Sequence, residues 1–234
     1  MRLHRFFITP PSQPITVGEK IEVTDAALIH QWRKVFRFKG ARETVILLPN
    51  SGVELVSEVV SIDDKKAVVE IVASNTKETR QKKIVLFQSI IKGDHFELVL
   101  EKCTELGVSH FVPIVAERSE KKNINLERAK KIVKEASEQS GKTILPIVDD
   151  VVTLEKVLNI FTVPSIALDF SDQRIDAKNF SQKELGIFVG PEGGWTDRER
   201  EFFKTKNVSM VSLGEQVLRS ETAAIAVSAL LLLK

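Results

Sequence analysis

A single cysteine, Cys103, stands among 234 residues. That excludes an intrachain disulfide and leaves no set of thiolates for a structural metal site. Histidine is scarce as well: His4, His30, His95 and His110 are scattered without ligand spacing, so no metal centre is expected. An excess of one charge is also missing. Lys and Arg number 34 against 32 Asp and Glu, a net charge of +2, so any nucleic-acid surface must come from local clustering rather than an overall field. Long hydrophobic runs are absent: the most apolar stretch, 223–233, is about half of what a bilayer-spanning helix requires. The apolar segment behind Met1-Arg2-Leu3-His4-Arg5 stops at Pro10, so no signal peptide is expected, and a cytoplasmic location away from membranes follows. No Gly-x-Ser-x-Gly and no cysteine–histidine motif suggests covalent hydrolysis. Internal repeats and low-complexity tracts are missing too.

What is present is an ordinary globular composition, 43% hydrophobic and 28% charged, long enough for one large or two modest domains. Residues 1–73 are β-rich. Short β-branched or aromatic runs at 20–23, 43–48, 53–60 and 67–72 are broken by Pro10-Pro11, Pro49-Asn50-Ser51-Gly52 and Asp63-Asp64. That punctuation predicts a small barrel, interrupted by one helix near 26–36. The polar stretch 74–83 is the expected linker. From residue 84 to 234 strands alternate with helices. Phe96, Val99, Leu100, Cys103 and Leu106 have the spacing of a helix stopped by Gly107, and Leu126, Ala129, Ile132, Val133 and Ala136 mark a second over 126–140. Strands are expected at 84–90, 111–115, 165–170, 186–189 and 208–213. Thr196-Asp197-Arg198-Glu199 fits a capping box, and Ser220 is placed to cap the last helix. The alternation predicts an α/β fold with a mainly parallel sheet.

Two glycine-bearing loops follow successive strands in that second part. The first, Gly190-Pro191-Glu192-Gly193-Gly194, is neither a dinucleotide fingerprint nor a phosphate loop, because the glycines are wrongly spaced and no Gly-Lys-Ser/Thr follows. Its paired glycines permit close approach to the backbone, although a tight strand-to-helix connection would use them equally well. The second loop runs from Leu213-Gly214 to Leu218, with Arg219 just before a helix N-terminus, where a cation is poorly placed for the helix dipole. Its backbone amides suit an adenine edge, with Leu213 and Leu218 against the faces; a surface pair of Arg219 with Glu215 or Glu221 is the plainer account. Loops at the carboxyl ends of strands are where open α/β sheets bind ligands.

Cations and aromatics interleave over 32–42, including Arg33, Lys34, Arg37 and Lys39, and Arg2 and Arg5 extend the set. The pattern suits phosphate contact and base stacking. Taken alone, it better suits an amphipathic element with core aromatics and solvated charges. Glu117-Arg118-Ser119 and Glu138-Gln139-Ser140-Gly141-Lys142 follow a strand and end a helix, and neither persuades alone.

Together these segments, with Arg5-Phe6-Phe7, His30 through Arg37, Lys92-Gly93-Asp94, Lys102 through Val108, Pro113 through Ser119 and Leu218 through Ala223, resemble the bacterial ribosomal RNA small-subunit uridine-N3 methyltransferases of the SPOUT superfamily. The resemblance covers nearly the whole chain. It implies a PUA-like β-barrel over 1–73, a linker over 74–83, and a SPOUT α/β methyltransferase domain over 84–234 containing a deep trefoil knot. It further implies S-adenosylmethionine (SAM) as cofactor, small-subunit (16S) ribosomal RNA or the 30S subunit as substrate, and a homodimer. By motif, Leu168, Gly190, Pro191, Glu192, Gly193, Leu213, Gly214, Leu218, Thr222 and Ala223 border the cofactor. Arg219 and Glu221 border methyl transfer. Arg2, Arg5, Arg33, Lys34, Arg37, Lys39, Arg118, Gln139 and Lys142 face RNA. Lys142 stands where arginine is usual, Ser220 where threonine is, and Phe36 where leucine is. Two rivals remain: a SPOUT enzyme acting on another RNA atom such as a ribose 2′-hydroxyl, and a non-catalytic RNA-binding protein on the same fold.

Overall fold

The computed structural model describes residues 3–10, 15–77, 82–171 and 173–233, which form two compact units. The first holds β1 (His4–Phe7), β2 (Lys20–Val23), α1 (Ala26–His30), β3 (Glu43–Leu48), β4 (Val53–Ile62) and β5 (Ala67–Thr76). These strands form one sheet in the order β1-β3-β4-β5-β2, with β1 parallel to β3 and the other pairings antiparallel. Alternation along the strands sends Val45, Leu47, Val59, Val69 and Ile71 into one core. Asp25 caps α1 by accepting from the backbone N–H groups of Ala27 and Leu28, 2.9 and 3.0 Å away. The helix expected over 26–36 changes character halfway: Gln31–Val35 is a π turn, closed by Phe36 N–H donating to the Gln31 carbonyl. Trp32, fully buried, anchors it among Phe6, Phe36 and Phe38.

Residues 137–145 also belong to this first unit. The Glu138 carboxylate accepts the Phe7 N–H at 2.9 Å, and the Asn50 side-chain oxygen accepts the Leu145 N–H at 2.7 Å. Of the polar stretch 74–83, residues 74–76 prolong β5 and Lys83 opens the next strand; 78–81 lie outside the described residues.

The second unit is built on β6 (Lys83–Ser89), β7 (His110–Val115), β8 (Ile147–Val148), β9 (Val152–Thr153), β10 (Ser165–Leu168), β11 (Glu184–Val189) and β12 (Ser209–Val211). Every pairing is parallel, in the order β12-β10-β11-β6-β7-β8, with β9 beside β7. Both faces are covered, as a parallel sheet requires. Ile84, Leu86, Ile166 and Ile187 face one core, which takes Val99 and Leu100 from α2 (His95–Leu106), Val133 from α3 (Leu126–Ser140) and Val227 from α6 (Ser220–Leu232). The alternate residues Val85, Phe87, Ala167 and Phe188 face a second, with Val157 of α4 (Leu154–Ile160) and Phe203 of α5 (Asp197–Thr205). Cys103 is buried on α2, and burial pushes its thiol up to about 12, against a smaller opposing effect of the Ser228 hydrogen bond. It is a core residue rather than a nucleophile. The capping box of α5 is present, with Thr196 and Glu199 bonded reciprocally.

The expectation for Ser220 needs correcting. Arg219 occupies the N-cap position of α6, and its side chain makes no capping bond. Ser220 is the first helical residue, and its hydroxyl is turned inward, donating to the Gly190 carbonyl at 2.6 Å. The part-buried Gly190 carbonyl takes the hydroxyl as a donor in place of the helix amides.

Candidate active site

β12, β10 and β11 lie side by side, so the segments leaving their carboxyl ends meet. They enclose a cavity of about 680 Å³, a size that suits a small-molecule ligand.

The glycine turn after β11 forms one wall. Gly194 N–H donates to the Pro191 carbonyl at 2.9 Å, closing the turn. Trp195 is buried beneath it, and its indole N–H donates to the Leu168 carbonyl at 2.9 Å, tying the turn to the end of β10. A side chain on Gly190 would bring its Cβ to 3.1 Å from that indole, a tight contact that the ring would have to shift to relieve. On the outside, the Arg118 guanidinium donates to the Gly193 carbonyl at 2.8 Å, and a Cβ at Gly193 would lie 3.3 Å from the Arg118 stem. The Glu192 carboxylate is held by the Lys92 backbone N–H at 2.9 Å.

The loop after β12 forms the facing wall. Leu213 and Gly214 lead into Val217 and Leu218, both exposed and apolar at the mouth, and then Arg219. Apolar side chains left in water beside a cavity suit a planar ligand. The first turn of α6 adds Glu221, only 8% exposed, with its carboxylate 3.4 Å from Nδ1 of His95. Between the loops, Asp169 is buried and paired to Arg200 at 2.6 Å. That hydrogen bond, opposed by burial and aided by the carboxylate's charge, raises the guanidinium above its ordinary value.

The cavity therefore gathers Leu168, Gly190, Pro191, Glu192 and Gly193 with Leu213, Gly214, Leu218, Arg219, Glu221 and Ala223. Thr222 is the exception: it is exposed on α6 and does not line the cavity, because the helical turn rotates it away from its neighbours. Sequence reasoning missed Trp195, although an aromatic directly after paired glycines marks a turn needing a floor. It also missed His95, Asp169 and Arg200, for which no local signal exists.

The residues expected on RNA are placed as follows. Arg2 lies outside the described residues. Arg5 is paired to Glu54 at 2.9 Å, and Arg33 to Asp64. Lys34, Arg37 and Lys39 are exposed. Their intervening aromatics are not available for base stacking: Trp32 is fully buried, and Phe36 and Phe38 pack on the same core. Gln139 and Lys142 lie in the segment that joins the first unit, and Arg118 is on the Gly193 carbonyl of the cavity wall.

An open parallel sheet with a glycine-lined cavity at its carboxyl edge defines a ligand-binding α/β domain. Residues 77–232 match the model of the RNA methyltransferase domain family. The ribosomal RNA small subunit methyltransferase E of Bacillus subtilis is 30% identical over 94% of this chain and 93% of its own length. The protein of that name from Rickettsia conorii is 28% identical over 96% and 93%. Its namesake from Neisseria gonorrhoeae, solved bound to SAM, superposes with a TM-score of 0.85 and 25% identity, covering 97% of this chain and 96% of that one. The chain belongs to the RNA methyltransferase domain family and, within it, to the ribosomal RNA small subunit methyltransferase E proteins.

Proposed function

We propose that this protein methylates N3 of a uridine in small-subunit (16S) ribosomal RNA, with SAM as methyl donor and the assembled 30S subunit as substrate. The observation that carries the reading is the convergence of both glycine loops on one cavity with Arg219 and Glu221 on its wall. The residues fit the cofactor. Gly190 leaves the backbone bare at the turn, Leu168, Leu213 and Leu218 offer apolar surface, and the amides of the second loop suit an adenine edge. When bound, SAM supplies an electrophilic sulfonium methyl group.

The uridine N3 carries an imide proton within the Watson–Crick edge, so the base must be unpaired before it can react. Arg219, fixed in an extended backbone conformation at the start of α6, stabilises the negative charge that develops on the uracil oxygens. Glu221, largely buried, or Glu192 on the facing turn accepts the imide proton or orients Arg219. Lys34, Arg37 and Lys39 supply phosphate contacts from the first unit, together with Arg5, Arg33, Gln139 and Lys142.

The reading extends to the architecture. We read the first unit as a PUA-like barrel and the second as the catalytic domain, with the connection falling between Thr76 at the end of β5 and Lys83 at the start of β6. A trefoil knot in the latter is supported by the route of the chain: β12 is an edge strand, yet the helix that follows it packs on α2, β6 and β11. Knots are rare enough to need such a crossing. Homodimer formation would bury Leu98 of α2 and Leu230 of α6, both exposed. No helix among the described residues is long and apolar enough to cross a membrane, and we place the protein in the cytoplasm.

Incubation with labelled SAM and 30S subunits lacking the modification tests the reading, with the labelled nucleoside identified by mass spectrometry. Label in 3-methyluridine is expected. Label in another nucleoside, a 2′-O-methylated one included, would overturn the target atom, and no label with no SAM binding would leave an RNA-binding protein.

A further inference from the structure

The two loops of the cavity are joined by a polar bridge that runs beneath it. The side-chain N–H₂ of Gln88, near the end of β6, donates to the Ser89 carbonyl and to the Ser220 hydroxyl, both at 2.9 Å. Ser220 in turn donates to the Gly190 carbonyl at 2.6 Å. The direction of each bond is fixed, because the two carbonyls can only accept, so Gln88 must present its nitrogen and Ser220 its proton. Gln88 is 1% exposed and Ser220 7%.

As a stabilising device this bridge is poor. The Gln88 Oε1 is buried with no hydrogen-bond partner among the described residues, and an unpaired buried acceptor costs more than an apolar side chain of that volume would. The chain carries that cost where the glycine turn and the first turn of α6 are joined by the Ser220–Gly190 bond. Ser220 lies between Arg219 and Glu221, so the bond to Gly190 fixes the spacing between one wall of the cavity and both side chains on the other.

We infer that Gln88 and Ser220 are positioning residues, a clamp that holds the two loops at the separation the cofactor requires. The inference rests on the reading of this cavity as the SAM site. The clamp acts on affinity because a ligand that must first pull the walls together binds less tightly by the fraction of molecules in which they are already together.

The test is SAM affinity by calorimetry, well below the unfolding temperature, on the full chain and three variants. Ser220→Ala removes both of its bonds, takes the hydroxyl donor from the Gly190 carbonyl and leaves the Gln88 amide with only its bond to Ser89; its Kd for SAM rises on the order of tenfold. Ser220→Thr keeps the hydroxyl and retains affinity within about threefold of the unmodified protein. Gln88→Met preserves volume and removes the bonds to Ser89 and Ser220 while leaving the Ser220–Gly190 bond, so its Kd rises by about threefold, and it keeps the test open if Ser220→Ala fails to fold. A merely structural role would lower the unfolding temperature of the alanine variant and leave the affinity of the folded molecules unchanged, which would overturn the clamp. Loss of affinity in Ser220→Thr equal to that in Ser220→Ala would also overturn it. If the unmodified protein binds no SAM, the cofactor reading fails instead, and the two failures are distinct.

Discussion

Two segments carry the residue types of function, 32–42 in the first unit and 190–223 in the second, and folding treats them differently. In the first, every aromatic turns inward: Trp32 is fully buried, and Phe36 and Phe38 pack beside it, leaving the cations at the surface. In the second, glycines, two carboxylates and an arginine turn toward a common cavity. Interleaved cations and aromatics are what any amphipathic element with an aromatic core face must show. Arg219, which holds the N-cap of α6 without a capping bond where the helix dipole disfavours a cation, has no such bland explanation. Spacing that packing already accounts for is weak evidence of function, and a local choice that packing alone would reject is strong.

The largest effect expected from breaking this contrast is on stability. Trp32→Ala should cost about 3–5 kcal/mol in denaturant unfolding of the first unit, as for a large buried aromatic, while the folded protein keeps its SAM affinity. A stable variant with weakened RNA binding would instead return Trp32 to the RNA face.

Next comes chemistry. Arg219→Ala should lower turnover by about 10²–10³, the usual consequence of losing one charge-stabilising donor, with calorimetric SAM affinity retained. Loss of affinity with turnover at saturation unchanged would make Arg219 a cofactor ligand only. Gly193→Val should raise the Kd for SAM by about tenfold or more, because the new side chain meets the Arg118 stem 3.3 Å away and displaces the turn. Normal affinity would remove this turn from the site.

The smallest effect sharpens the other side of the comparison. Glu54 is buried, which raises its carboxyl, but Lys77 and Arg5 bond to it and together hold it below its ordinary value of 4.5. Its folded pKa is therefore lower than the unfolded one. The stability it supplies is present above about 4.5 and lost as pH falls through the folded value. A thermal scan series on Glu54→Gln should show a flatter loss of unfolding temperature on acidification than the unmodified protein. Arg5 would then count first as a structural cation.

Much of the second unit was legible because parallel strands and their covering helices write apolar periodicity directly into the chain, as at Val99, Leu100 and Cys103 or Ile84 and Leu86. The short pieces β8, β9 and α4 escaped notice, since two- and seven-residue elements leave too little pattern. The π turn at Gln31–Val35 also escaped, because it shares the composition of the α-helix it continues. The grouping of residues 137–145 with the first unit includes hydrogen bonds that Glu138 and Asn50 accept from backbone N–H groups 131 and 95 positions away, and nothing nearby in the chain announces them.

The sequence by itself determined the alternation of strand and helix, the two glycine loops and their place at strand ends, because propensity, turn chemistry and hydrophobic period act over a few residues. Only the tertiary structure decided that Ser220 would bond Gly190 rather than cap its helix, that His95 would stand beside Glu221, and that Trp32 would leave the surface. Those outcomes depend on which strands become neighbours. In a parallel sheet, neighbours are chosen by the burial of both faces at once, a property of the whole unit rather than of any segment.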